Sequence, residues 1–221
     1  MIKHHGLPGT LIVFEGIDGC GKSTVIRLLF DHLSRKGVKV TVSATPGGTP
    51  YGSAVRKILF DYSSGMSTHR LNGDVCSLLY LTSHIQNWHE LVQPALRDGH
   101  VVLADRWDLF SGQAYALAGA ATVSEDIINL RSTFSGPLPD LTVFMSGNPG
   151  EFLFRASSRE NNHQEGKRWS NVTKLTEVQD RYGKIVESYR SPVLHIRSDR
   201  VTQDEVLKMV LFHLEMLDLP R

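Results

Sequence analysis

The sequence predicts an α/β fold, in which helices cover both faces of a five-stranded parallel sheet within one domain. Three observations predict it. Short apolar runs alternate with amphipathic helical stretches along the whole chain. The first and third runs, Leu11-Ile12-Val13-Phe14 and Val101-Val102-Leu103-Ala104, are apolar throughout, as strands buried on both faces are. The first run also ends in a glycine-rich turn directly before an amphipathic helix, the context a phosphate cradle needs. At 221 residues the chain suffices for one well-cored domain with a mobile insertion.

Each element follows from periodicity and breakers. After the first strand, a helix beginning near Lys22 carries Val25, Ile26, Leu28 and Leu29 and closes at Arg35-Lys36-Gly37, cations followed by glycine. Val38-Lys39-Val40-Thr41-Val42 is the second strand. Thr45-Pro46-Gly47-Gly48-Thr49-Pro50 interrupts regular structure, and a helical pattern resumes over 53–60 through Val55, Ile58 and Leu59. Residues 61–73 are polar and glycine-containing and read as a surface connection. Apolar residues then recur at three- and four-residue steps over 74–96, one long helix that Pro94 kinks or divides. The third strand ends in Asp105-Arg106-Trp107. Helices follow over 111–120 and from Ser124, the latter stopped by Pro137 and Pro139. Leu141-Thr142-Val143-Phe144-Met145 is the fourth strand, followed by a turn at Gly147-Asn148-Pro149 and a helix through Phe152 and Arg155. The polar stretch at about 155–172 lacks periodicity and reads as an exposed lid. A helix over 175–189, a fifth strand Val193-Leu194-His195-Ile196 and an amphipathic helix over 204–217 complete the chain.

Gly16 to Ser23 has the spacing GxxxxGKS between a strand and a helix. Glycines at these places let successive backbone N–H groups turn toward a phosphate, Lys22 reaches its β and γ oxygens, and the Ser23 hydroxyl can ligate Mg²⁺. The helix that begins there adds its positive end. Asp105, directly after an apolar strand, is placed to hold the same metal; alternatively it caps the following turn or pairs with Arg106. Arg106 can clamp a phosphate at two oxygens. Arg155 and Arg159 share a helix face at i and i+4, with Arg168 beyond: either a solvated basic face or the cations that phosphoryl transfer needs in a lid.

Composition narrows the classes. A formal net charge of +1 gives no global basic field for nonspecific binding to nucleic acid or membrane, so anion binding must be local. The two cysteines, Cys20 and Cys76, make neither a disulfide framework nor a metal-ligand pattern. Cys20 is either small filler or a thiol acidified by the loop's N–H groups. With no apolar run of spanning length and no signal-peptide core, a soluble cytoplasmic protein is expected.

Taken together, these motifs resemble the thymidylate kinase family over nearly the whole chain. Phe14-Glu15-Gly16-Ile17-Asp18-Gly19-Cys20-Gly21-Lys22-Ser23-Thr24 is similar to that family's phosphate loop, and Pro46-Gly47-Gly48-Thr49-Pro50, followed by Arg56, to its proline-glycine-glycine segment and downstream arginine. Asp105-Arg106-Trp107 stands where the family has Asp-Arg-Tyr. Ser111-Gly112-Gln113-Ala114-Tyr115 resembles its substrate-lining helix. The resemblance implies a P-loop three-layer fold with an arginine-bearing lid, ATP and Mg²⁺ as cofactors, a deoxynucleoside monophosphate acceptor, usually dTMP, and a homodimer packed through helices beside the sheet. It further implies that Asp18 orients the acceptor, Arg106 holds its phosphate, Tyr80 stacks on its base, and Tyr115 crowds the 2′ position. The loop has no basic residue at Gly19 or Cys20, as in members whose catalytic arginine comes from the lid.

Several positions depart from the family. Ala44 and Thr45 replace its Arg-Glu, Ser83-His84 replaces the Asn-Arg or Asp-Arg pair that reaches the thymine carbonyl, and Ser170 stands where an acidic residue is usual. His84 is then either a neutral donor in the base pocket or a surface residue of the long helix. These departures leave open a modified-pyrimidine acceptor such as a hydroxymethyluracil nucleotide, or that base within DNA, and, as a different class, a nucleotide-binding regulator without catalysis.

Overall fold

The computed structural model describes residues 5–63, 71–107, 125–134, 136–158, 172–188 and 191–217. Its sheet contains β1 (Thr10–Glu15), β2 (Val40–Ala44), β3 (Val101–Asp105), β4 (Leu141–Ser146) and β5 (Val193–Arg197) in the order β2-β3-β1-β4-β5, every neighbouring pair parallel. β1 and β4 are buried at every residue, as central strands covered on both faces are, and in β4 this burial takes in the polar Thr142 and Ser146 beside the apolar residues. β1 is flanked by β3 and β4, so the loop leaving β1 enters the crevice where the strand order reverses.

The helices are α1 (Lys22–Arg35), α2 (Pro50–Ser63), α3 (Gly73–Asn87), α4 (Gln93–Arg97), α5 (Glu125–Phe134), α6 (Pro149–Ser157), α7 (Val172–Glu187) and α8 (Gln203–Met216). α1 turns Val25, Ile26, Leu29 and Leu33 into the core, α7 turns in Leu175, Val178 and Tyr182, and α8 turns in Val206, Val210 and Leu214. A capping box between Thr202 and Glu205 sets the start of α8. No helix among the described residues is long and apolar enough to cross a membrane.

Three expectations shift. β2 lies over Val40–Ala44 rather than 38–42, because it pairs with β3 in the register Val40↔Val101 to Ala44↔Asp105. α2 begins at Pro50, where proline's fixed φ suits a first helical turn, and runs to Ser63. The surface connection expected at 61–73 is therefore helical at its start. The long helix over 74–96 is divided before Pro94: a π-helical turn over Trp88–Val92 separates α3 from α4, with the Gln93 N–H bonded to the Trp88 carbonyl. Pro94 has no N–H, and its ring would collide with the Glu90 carbonyl in a continuous α-helix. The wider turn absorbs both effects. The helix expected at 111–120 lies outside the described residues, as do residues 159–171 of the lid.

Candidate active site

The phosphate loop is built between two packed elements. Glu15, at the end of β1, is fully buried, and its carboxylate accepts a bond of 2.6 Å from the Trp107 N–H, tying the loop's entry to the end of β3. At the other end α1 begins with Gly21 at its N-cap; among the described residues no side chain caps it and no acid sits in its first turn. The positive end of the helix therefore faces the loop uncompensated. Midway, Gly19 has φ +86°, and a Cβ there would overlap the backbone carbonyl of Phe152. Only glycine lets the loop lie against α6 at this point.

Lys22 is 6% exposed, and its ammonium donates to the carbonyls of Gly16 at 3.0 Å and Ile17 at 3.2 Å. The cation is thus held inside the loop. Cys20 is buried with its sulfur 3.8 Å from Lys22 Nζ, and its carbonyl accepts from the Ser198 hydroxyl at 3.0 Å, so the loop is also fastened to the turn after β5.

Ser23 and Asp105 meet. The Ser23 hydroxyl donates to Asp105 Oδ2 at 3.1 Å, while the buried Oδ1 of Asp105 has no partner among the described residues. A hydroxyl and a carboxylate with an unused oxygen form an all-oxygen donor set, which suits a hard divalent cation such as Mg²⁺. The capping and Arg106-pairing alternatives for Asp105 have no bond to support them among those described.

Arg106 joins the two halves of the site. Its backbone has φ +75°, the left-handed region that non-glycine residues rarely occupy. Its N–H is bonded to the Phe14 carbonyl at 3.0 Å. From there Nη1 donates to the Gly16 carbonyl at 3.0 Å and to the Tyr182 hydroxyl at 2.9 Å, and Nη2 donates to Asp18 Oδ1 at 2.5 Å. Asp18, Lys22 and Arg106 are therefore assembled around the carbonyl edge of a single loop.

The segment after β2 is clasped by α2 and α3. Arg56 donates to the Pro46 carbonyl at 3.3 Å and the Tyr80 hydroxyl to the Thr45 carbonyl at 2.8 Å. Ser83 Oγ accepts from the Gly47 N–H at 3.3 Å, and the Asn87 amide donates to Ser43 and Thr45. His84 is fully buried with its ring edge-on to Trp107, centroids 4.4 Å apart. Burial excludes the surface alternative for His84. Arg155 lies half-exposed on α6, 3.7 Å from Glu151 and over the Phe152 ring. Ser111, Gln113, Tyr115, Arg159 and Arg168 lie outside the described residues.

Sequence reasoning missed Tyr182, which touches Arg106, and a polar set beside the loop. Gln179 bonds both the N–H and the carbonyl of Gly147, and Asp199 accepts from the Asn148 N–H at 3.1 Å. Asp199 is held below its ordinary pKa first by its hydrogen bond to Arg197. Ser198 and Asp199 directly follow a strand at its carboxyl end, the signal that could have found them. Tyr182 carries no such signal, since an aromatic residue at helical spacing reads as core.

A thymidylate kinase family model matches residues 14–208, a span that includes the last two residues of β1, the phosphate loop, Asp105-Arg106 and the strands β2 to β5. The chain belongs to the thymidylate kinase family. Among its relatives, the thymidylate kinase of Thermoanaerobacter sp. (strain X514) is 32% identical over 214 residues, covering 96% of this chain and 97% of its own. That of Caldanaerobacter subterraneus subsp. tengcongensis is 35% identical over 184 residues, covering 82% and 83%. The thymidylate kinase of Geotalea daltonii is 37% identical over 162 residues, covering 72% and 73%. Ser83 and His84 of α3 face the loops after β2 and β3: Ser83 holds the Gly47 N–H and His84 lies edge-on to Trp107.

Proposed function

We propose that this enzyme, an ATP-dependent nucleoside monophosphate kinase, transfers the γ-phosphoryl group of ATP to dTMP to give dTDP. The observation that carries the reading is the bond from the Arg106 guanidinium to the Gly16 carbonyl, which holds a side chain of the kind that clamps phosphate beside the phosphate loop. The P–O bond to the β-phosphate breaks as a bond forms to an acceptor phosphate oxygen. That oxygen is already anionic, so no general base is required and catalysis is positioning and charge neutralisation.

The phosphate-loop residues Gly16, Ile17, Asp18, Gly19, Cys20, Gly21 and Thr24 supply the donor cradle, and Lys22 the cation for the β and γ oxygens. Arg106 holds the acceptor phosphate, and Asp18 holds Arg106. Arg155, with Arg159 and Arg168, stabilises the moving group. Pro46, Arg56, Tyr80, His84, Ser111, Gln113 and Tyr115 line the acceptor side. Ser23 and Asp105 would hold Mg²⁺, which when bound neutralises charge on the β and γ oxygens.

The apolar side chains exposed on α2, α3 and α5, namely Tyr51, Ile58, Val75, Leu130 and Phe134, support a homodimer packed through these helices. The cytoplasm, where ATP and monophosphates are available, is the compartment that suits the reaction. A modified-pyrimidine acceptor and a silent regulator are not favoured, because the relatives are named thymidylate kinases. The test is a panel of deoxynucleoside monophosphates incubated with ATP, Mg²⁺ and purified protein, read by mass spectrometry. dTDP should be the main product, and a panel with no diphosphate at all would refute the reading.

A further inference from the structure

The geometry points to Tyr182 as a positioning residue for the acceptor-phosphate clamp, acting through its hydroxyl on Arg106. The inference rests on Arg106 being that clamp. Tyr182 lies on α7, remote in sequence from both the phosphate loop and β3, and is fully buried. Its ring stacks on Phe144 of β4 with centroids 5.8 Å apart and planes 30° from parallel. Packing thus fixes the ring, and a fixed ring fixes where the hydroxyl points.

The hydroxyl accepts a bond of 2.9 Å from Arg106 Nη1, the same nitrogen that donates to the Gly16 carbonyl. With Asp18 on Nη2, the guanidinium is held from three directions: the loop entry, the loop middle and α7. A long flexible side chain leaving a left-handed backbone position has many ways to point, and each fixed acceptor removes some of them. Asp18 is 44% exposed as a side chain, whereas Tyr182 is immobilised in the core, so the tyrosine is the more rigid of these two side-chain acceptors. A bond from a charged donor to a buried acceptor is also among the stronger kinds.

Tyr182→Phe removes the hydroxyl and leaves the stacked ring, so core packing is retained. Titration calorimetry with dTMP and with thymidine separates the roles, since thymidine has the base and sugar without the phosphate. In Tyr182→Phe the Kd for dTMP should rise about tenfold and that for thymidine should not change. In an Arg106→Ala background the second substitution should have no further effect on dTMP, because the residue it positions is gone. Equal weakening of both ligands, an unchanged dTMP affinity, or additive effects of the two substitutions would each overturn the inference. Wild-type protein that binds dTMP without making dTDP would sink the kinase reading and leave this inference standing. Wild-type protein that binds dTMP no more tightly than thymidine would overturn both.

Discussion

Substituting Gly19 with alanine tests whether α6 is seated on the phosphate loop. A Cβ at Gly19 would stand 2.6 Å from the Phe152 carbonyl carbon and 3.0 Å from its Cα, with the carbonyl oxygen closer still. These are backbone atoms, so no rotamer change relieves the overlap and either the loop or α6 must move. The left-handed φ of +86° costs a β-carbon residue about 1 kcal/mol, and the overlap adds about 1–3 kcal/mol. A total of about 2–4 kcal/mol corresponds to a fall of about 4–16 °C in Tm for a chain of this size. Gly37→Ala is the control, because Gly37 has φ +79° and a Cβ there meets nothing within 4 Å. It should carry the strain alone, about 2–4 °C. Calorimetric melts of both variants isolate the contact, and coupled assays over ATP concentration should show kcat/KM falling about a hundredfold in Gly19→Ala only. If the two variants melt together and Gly19→Ala keeps its activity, α6 does not bear on the loop as described.

Asp105→Asn should raise the Mg²⁺ concentration for half-maximal activity about tenfold, checked by metal titration at saturating ATP, and an unchanged titration would remove Asp105 from the metal site. His195, whose ring bonds Ser146, is pushed below its ordinary 6.5 first by burial and then by Arg197, with Glu187 opposing. The unfolded chain therefore takes up a proton that the folded imidazole resists, and stability should fall as pH drops from 6.5 toward the lowered value. Urea melts above and below pH 6.5 should show a shallower fall in His195→Gln than in wild type. Ile58→Asp, which places a charge on the exposed apolar face of α2, should shift the species in sedimentation equilibrium from two chains to one; a persistent dimer would locate the interface elsewhere.

The buried strands were legible because each is a short, mainly apolar run, unbroken over Leu11–Phe14 and Val101–Ala104, and the phosphate loop because its chemistry is local: eight consecutive residues supply glycines, lysine and serine. The division of the long helix was legible at Pro94 but displaced, since proline acts on the turn before it and the π-helical turn lies there. β2 was misplaced by two residues because its alternating run sits beside β3 in a register that pairing sets and local pattern does not. Tyr182 was illegible for a different reason. Its role depends on a hydroxyl reaching across 76 residues of sequence to Arg106, and nothing near it in the chain distinguishes that hydroxyl from one at the edge of a core.

The same contact that restricts Gly19 bears on which cations the proposed reaction can draw on. A loop pressed against the Phe152 carbonyl has no room for any side chain at that position, so an arginine there is sterically excluded, whatever its electrostatic value. Lys22 is then the only cation the loop itself contributes, buried against the carbonyls of Gly16 and Ile17. On the proposed reading further positive charge comes from outside the loop, and two of the elements beside it carry arginines. Arg106, directly after β3, is bonded to the Gly16 carbonyl, and α6 carries Arg155 one turn beyond the residue that abuts Gly19. The packing of Gly19 on Phe152 thus accounts for the absence of a basic residue at that place in the loop. A substitution in α6 that moved the Phe152 carbonyl away from Gly19 would remove that steric reason.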